Sequence, residues 1–268
     1  RVGLAPAAPA LSANAFCKKP SWSARPACVS MRVISTFVLA SPDALCQKRW
    51  TGWTLSWKDF DMAEIEYFYA AHSAYAYLGS ARLMEIAATA GRRIVHKPYD
   101  LRSGITGIGS KTIGERTAGH LEYFFGREVE RWSEFRNAPV MKRLPTHHHK
   151  SITLSNTMLI AGIVQGLNID RLAHAMLEKH WRDDVDLADT DTLASIAKSV
   201  HLDPDPLFAT SGSKEVLGIY EANTKEAIER SVFGSPTYVV DGDMFYGQDR
   251  LEMVERALSK PFTTRLPA

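Results

Sequence analysis

Ile65-Glu66-Tyr67-Phe68-Tyr69-Ala70 runs almost directly into His72-Ser73-Ala74-Tyr75-Ala76-Tyr77-Leu78. The first six residues form a short run rich in aromatic and apolar side chains, which predicts a buried strand. Beyond them Tyr75, Leu78, Leu83 and Ile86 recur at near-helical spacing, His72-Ser73 offers an N-terminal cap, and Gly91 stands where a helix end favours a left-handed residue. Arg93-Ile94-Val95-His96-Lys97-Pro98-Tyr99 then reads as a second strand, with Pro98 at a sheet edge or at the strand's end. Strand, helix and strand within about 35 residues predict a right-handed βαβ unit.

Outward from this unit the texture changes. From about Ile113 to Glu229 helical periods dominate, with segments at 113–136, 153–167, 170–182, 190–200 and 214–231. Asp189-Thr190-Asp191 and Asp203-Pro204 signal helix starts, and Gly166 with Asn168 signals a stop. Strands return at Thr237-Tyr238-Val239-Val240 and Met244-Phe245-Tyr246, joined through Asp241-Gly242, a strong hairpin signal. A closing helix is predicted over Arg250 to Leu258, with Asp249 near its start. The expected organisation is an N-terminal extension at 1–61, one α/β domain built from 62–112 and 232–268, and a helical insertion at 113–231.

The 268 residues, 45% apolar and 23% charged, suffice for one sizeable core or two coupled smaller ones. Charged or polar residues break every apolar run well short of the roughly 18 to 20 residues a membrane-spanning helix needs, which argues against a membrane span. Residues 1–61 carry 8 Lys/Arg against 3 Asp/Glu, whereas residues 62–268 carry 24 against 27. A mildly acidic body lacks the basic face that tracks nucleic-acid phosphates. The basic first segment opens with Ala/Pro-rich text and ends in Trp50, Trp53 and Trp57. Its simplest account is upstream sequence outside a working protein that begins at Met62 and is cytoplasmic; an organelle transit peptide and a genuine extension are the other readings. All three cysteines, Cys17, Cys28 and Cys46, fall in that segment. Sulfur chemistry in the body therefore needs a borrowed thiol.

The order βαβ, helical block, hairpin and helix resembles the α/β thioredoxin-like fold with the helical insertion of the DsbA-like group. Ile65-Glu66-Tyr67-Phe68-Tyr69 through Ser73-Ala74-Tyr75-Ala76-Tyr77-Leu78 resembles the opening of 2-hydroxychromene-2-carboxylate isomerases and kappa-class glutathione transferases. Phe233-Gly234-Ser235-Pro236-Thr237 looks like their cis-proline loop, and Gly247-Gln248-Asp249-Arg250-Leu251 like their glutathione-binding turn. Two positions depart from that pattern: Ala74 stands where a proline usually follows the serine, and Ala70 where the leading strand often ends in an acid.

The resemblance implies a site built from a catalytic Ser73, with Ser235, Pro236, Gln248, Asp249 and Ser110 holding ligand, glutathione as cofactor, and a homodimer. In this fold the first helix starts beside the cis-proline loop, so its unpaired N–H groups favour an anion there. A hydroxyl at Ser73 cannot form a disulfide but can stabilise a visiting thiolate. The plain reading of Ser73 is a helix cap, of Ser235-Pro236 an ordinary trans turn, and of Asp249 another cap. The backbone of Ser235 is expected to pair with the extended glutathione peptide, and Asp249 to read its ammonium. Asp100 through Lys111 is read as a glycine-rich loop on the substrate side, without the Gly-x-x-x-x-Gly-Lys-Ser/Thr phosphate pattern. Arg102 and Lys111 there are carboxylate partners or solvated charges. His147-His148-His149 is not a convincing metal site, because consecutive side chains diverge. Trp132 and Trp181 are read as core, and Asn156 as a position recurrent in the family.

The function implied is glutathione-dependent cis–trans isomerisation of 2-hydroxychromene-2-carboxylate or a similar aromatic pyruvate. A kappa-like glutathione transferase, a DsbA-family thiol oxidoreductase-like protein and a non-catalytic glutathione or peptide-binding module are the competing readings.

Overall fold

The computed structural model describes residues 64–263. Segment 1–61, its cysteines and Met62 lie outside the described residues. Strand β1 (Glu64–Tyr69) leads into helix α1 (Ala74–Ala90) and strand β2 (Arg93–Pro98). Helix α2 (Leu101–Gly107), α3 (Ala118–Leu121), α4 (Glu128–Arg136), α5 (Thr153–Val164), α6 (Asp170–Asp183), α7 (Thr190–Ser199), α8 (Pro204–Ser211) and α9 (Lys214–Glu229) follow. The hairpin β3 (Thr237–Val240) and β4 (Asp243–Tyr246) and helix α10 (Leu251–Ser259) complete the described fold.

The four strands lie in the order β2-β1-β3-β4. β1 runs parallel to β2, with Ile65 opposite Ile94, and antiparallel to β3, with Tyr67 opposite Tyr238. This is a thioredoxin-type sheet, and it explains why β1 is aromatic from Tyr67 to Tyr69, where the central strand is buried on both faces, while Glu66 nearer its start pairs with Lys97 and Arg230. Ile65, Tyr67 and Tyr69 face the large core shared with α1, α5, α6 and α10, and the Tyr67 ring stacks on Tyr69 at 4.1 Å and on Tyr238 at 5.4 Å. Phe68 faces the other way, packing with Tyr99, Ala227, Val232 and Val239.

Helix α1 begins at Ser73 and ends at Gly91, whose φ of 60° closes it in the left-handed region. Helix α5 is buried from Ser155 to Gly162, the pattern of a helix enclosed by neighbours. No helix among the described residues is long and apolar enough to cross a membrane.

Three stretches differ from the sequence expectation. Residues 101–107 form a helix rather than a loop, because the Asp100 carboxylate accepts hydrogen bonds from the Arg102 and Ser103 amides. Its glycines serve close packing: a Cβ on Gly104 would lie 2.7 Å from the Tyr99 ring, and one on Gly107 2.6 Å from Ile228. Residues 204–211 form α8, capped by Asp203, where only the start signal was read. Residues 118–136 are helical as expected but carry a π-helical turn at Glu122–Arg127 between α3 and α4, and a separate 3-10 turn at Ile113–Glu115 precedes them.

Candidate functional site

The start of α1 meets the turn before β3. Ser235–Pro236 is a cis peptide, and the Ser73 hydroxyl donates a hydrogen bond to the Ser235 carbonyl at 3.1 Å. In return Ser235 Oγ accepts from the Ala70 amide at 3.1 Å. Ser73 Oγ also accepts from the Ala76 amide at 3.3 Å, so it is a true N-cap as well as a wall of the site. The Ser235 carbonyl thus has one protein donor, the Ser73 hydroxyl, at the position where the resemblance expects an extended peptide to pair.

Behind this junction lies a fully buried Asn156 on α5. Its Oδ1 accepts from the Ala71 amide at 3.0 Å, and its Nδ2 donates to the Tyr99 carbonyl at 3.1 Å. The Trp181 indole N–H donates to the His72 carbonyl at 2.8 Å. Both side chains hold the β1–α1 loop and so aim Ser73. Trp181 is core as expected.

A hollow of about 310 Å³, the size of a small-ligand pocket, opens between the cis-proline turn and the start of α10. Ser235, Tyr75, Tyr246, Gly247, Gln248, Asp249 and Trp132 line it. Trp132 therefore belongs to this wall rather than to the closed core. Gly247 takes φ 98°, a conformation open to glycine, and donates its N–H to the Pro236 carbonyl at 2.9 Å. Asp249, partly exposed, caps nothing; its carboxylate pairs with Arg250 at 3.1 Å. Gln248 is buried, its Oε1 and carbonyl accepting from Arg136 at 3.1 and 3.2 Å. The Gln248 Nε2 is buried without a partner among the described residues.

A second hollow shares the walls Tyr75, Phe124, Ser235 and Tyr246 with the first, and adds Ser73, Arg116, Phe125, Phe233, His72 and His148. A third, about 380 Å³, shares Leu101, Ile105, His72 and His148 with the second. The three adjoin along these shared walls as a crevice whose middle part, about 80 Å³, is lined by Ser73. Phe124 and Phe125 reach it from the π-helical turn, where the Tyr75 hydroxyl donates to the Phe124 carbonyl at 2.5 Å. Arg116 lies over the Phe124 ring at 5.3 Å and has no carboxylate partner among the described residues. Arg102 reaches the third hollow while donating to the His148 and Lys150 carbonyls.

Ser110 is not brought to this crevice. It is exposed, and its amide closes the end of α2 on the Ile105 carbonyl at 3.1 Å, a consequence of the helix that replaces the expected loop. Lys111 is likewise exposed and lines none of the three hollows. Of the three consecutive histidines only His148 is buried, against His72 and His180. Arg116, Phe124 and Phe125 were not singled out in the sequence, since a π-helical turn has no readable period and an isolated arginine carries no motif.

A four-stranded sheet covered on both faces, with the start of its first helix against a cis-proline turn, defines a thioredoxin-class protein, and the chain belongs to the DSBA-like thioredoxin domain family, which matches residues 64–259. Over 195 residues it is 25% identical to a 2-hydroxychromene-2-carboxylate isomerase of Sphingobium xenophagum, covering 72% of this chain and 97% of that protein. A solved 2-hydroxychromene-2-carboxylate isomerase superposes with a TM-score of 0.61 at 22% identity, covering 74% of this chain and 95% of that one. A probable DsbA oxidoreductase from Streptomyces coelicolor superposes with a TM-score of 0.62 at 18% identity, covering 77% and 92%.

Proposed function

We propose that the protein is a glutathione-dependent isomerase of 2-hydroxychromene-2-carboxylate or a similar aromatic pyruvate. The observation that carries this reading is Ser73 Oγ at the N-terminus of α1, facing the cis-proline turn in a body without cysteine from residue 62 onward. The resemblance to 2-hydroxychromene-2-carboxylate isomerases supplies the substrate class.

Glutathione fits the first hollow by chemistry: the exposed Asp249 carboxylate suits an ammonium, and the buried Gln248 Nε2 lacks an acceptor. When bound, glutathione supplies a thiolate that adds reversibly to the conjugated C=C, turning it into a rotatable single bond before leaving with the same electron pair. The residues of the chain do the rest. The terminus of α1 presents positive potential to the sulfur, and the Ser73 hydroxyl rotates its hydrogen from the Ser235 carbonyl toward the new negative charge. A downward shift of one to two units in a thiol pKa near 8.5 corresponds to about 1.4 to 2.7 kcal/mol. Arg116 takes the substrate carboxylate, and Phe124, Phe125, Phe233 and Tyr246 hold its ring.

The test is the ultraviolet spectrum of 2-hydroxychromene-2-carboxylate mixed with protein and catalytic glutathione. A protein- and glutathione-dependent spectral change with no net loss of thiol is expected. No change contradicts the reading, and stoichiometric loss of thiol assigns the transferase instead.

A further inference from the structure

His148 occupies the wall between the second and third hollows of the crevice, its ring centroid 4.7 Å from that of His72, the residue before Ser73. Its hydrogen position follows from its neighbours. His180 Nδ1 lies 2.9 Å from the Val185 carbonyl, which can only accept, so Nδ1 carries the hydrogen. A neutral imidazole then leaves a lone pair on His180 Nε2, and this accepts from His148 Nδ1 at 3.2 Å. His148 is thereby fixed with its hydrogen inward on Nδ1 and a lone pair on Nε2, which no protein group among the described residues engages. Burial first, then the facing His180, His149 and Arg102, push the His148 pKa down to about 3. The imidazole is a constant acceptor near neutrality and a poor base.

We propose that His148 Nε2 is a preset hydrogen-bond acceptor for a substrate hydroxyl, so that the crevice selects hydroxyaryl carboxylic acids, with the hydroxyl on His148 and the carboxylate on Arg116. His180 is the positioning residue that sets the tautomer. The inference rests on reading the crevice as the substrate site.

The test uses cinnamate and its 2-, 3- and 4-hydroxy derivatives as probes, titrated into the full chain with glutathione present. At least one hydroxycinnamate is expected to bind about threefold to tenfold tighter than cinnamate, the range of one hydrogen bond. His148→Phe, which keeps the ring but removes the acceptor, abolishes that preference. Arg116→Gln weakens all four acids and preserves their ratios. In ¹⁵N-imidazole spectra of the unaltered protein, His148 Nε2 resonates as an unprotonated nitrogen, and it shifts with the preferred hydroxycinnamate but not with cinnamate. His180→Phe releases the tautomer and lowers the preference.

Equal affinity for all four acids, a preference unchanged in His148→Phe, or a proton on His148 Nε2 overturns the inference. If glutathione-dependent isomerisation persists in that event, the functional reading survives it. If none of the acids binds and no isomerisation occurs, both fall together.

Discussion

The Ser73 hydroxyl and the Ser235 carbonyl are hydrogen-bonded at 3.1 Å, across 162 positions of sequence. Because a hydroxyl has one hydrogen to donate, a thiolate at this junction competes with a backbone carbonyl for it. The same oxygen caps α1, so Ser73→Ala is expected to lower stability by about 1 kcal/mol, or roughly 2 to 4 °C in melting temperature. Ser73→Asp, which still caps, restores the melting temperature but not thiolate stabilisation, because a carboxylate repels the sulfur. Calorimetric melts of the two variants check this.

Asn156 satisfies two buried backbone groups from different segments, Ala71 and Tyr99. Asn156→Leu strands both at about 1 to 3 kcal/mol each, and urea unfolding is expected to show a loss of about 3 kcal/mol. Because the Ala71 contact aims the loop before Ser73, glutathione affinity falls in the same variant.

Arg136 holds Gln248 by two hydrogen bonds and pairs with Glu252 at 2.7 Å. Arg136→Met leaves the buried Gln248 Oε1 without its donor, removes one of the two donors on the Gln248 carbonyl, and lets the turn drift. Glutathione affinity measured by calorimetry is expected to drop about tenfold, with a smaller effect on the melting temperature.

The buried histidines make the fold acid-sensitive. The unfolded chain takes up a proton at His148 near pH 6.5, the folded protein only near pH 3. Between those values the unfolded state binds more protons, so stability falls as pH falls, by up to about 1.4 kcal/mol per unit for each histidine held neutral. Above pH 6.5 this contribution is flat. His72 is held below its usual range by burial and by His148, in the same direction. Unfolding free energies measured from pH 7 to 4 are expected to decline less steeply in His148→Phe.

Much of the frame was legible because local pattern and tertiary position agree. β1 is aromatic where it is buried, from Tyr67 to Tyr69, because it is central, Gly91 ends α1 as a left-handed cap, and Asp241-Gly242 turns the hairpin. Ser73 and Ser235 were both marked, although only the family resemblance placed them together. The loop expected at 100–111 failed because its glycines answer to Tyr99 and Ile228, contacts that no local window contains. Ser110 left the candidate site with that loop. His148 was hidden in a run of three, since nothing local tells which of three adjacent rings turns inward; its partner His180 lies 32 residues away.

In the proposed mechanism the α1 terminus and the Ser73 hydroxyl hold a bound thiol in its negative form. Ultraviolet absorbance of the glutathione thiolate, followed against pH in the unaltered protein and in Ser73→Ala, tests this most directly. A bound thiol pKa one to two units below about 8.5, returning most of the way in the variant, is expected. An unshifted pKa with glutathione bound, or an equal shift in both proteins, contradicts it.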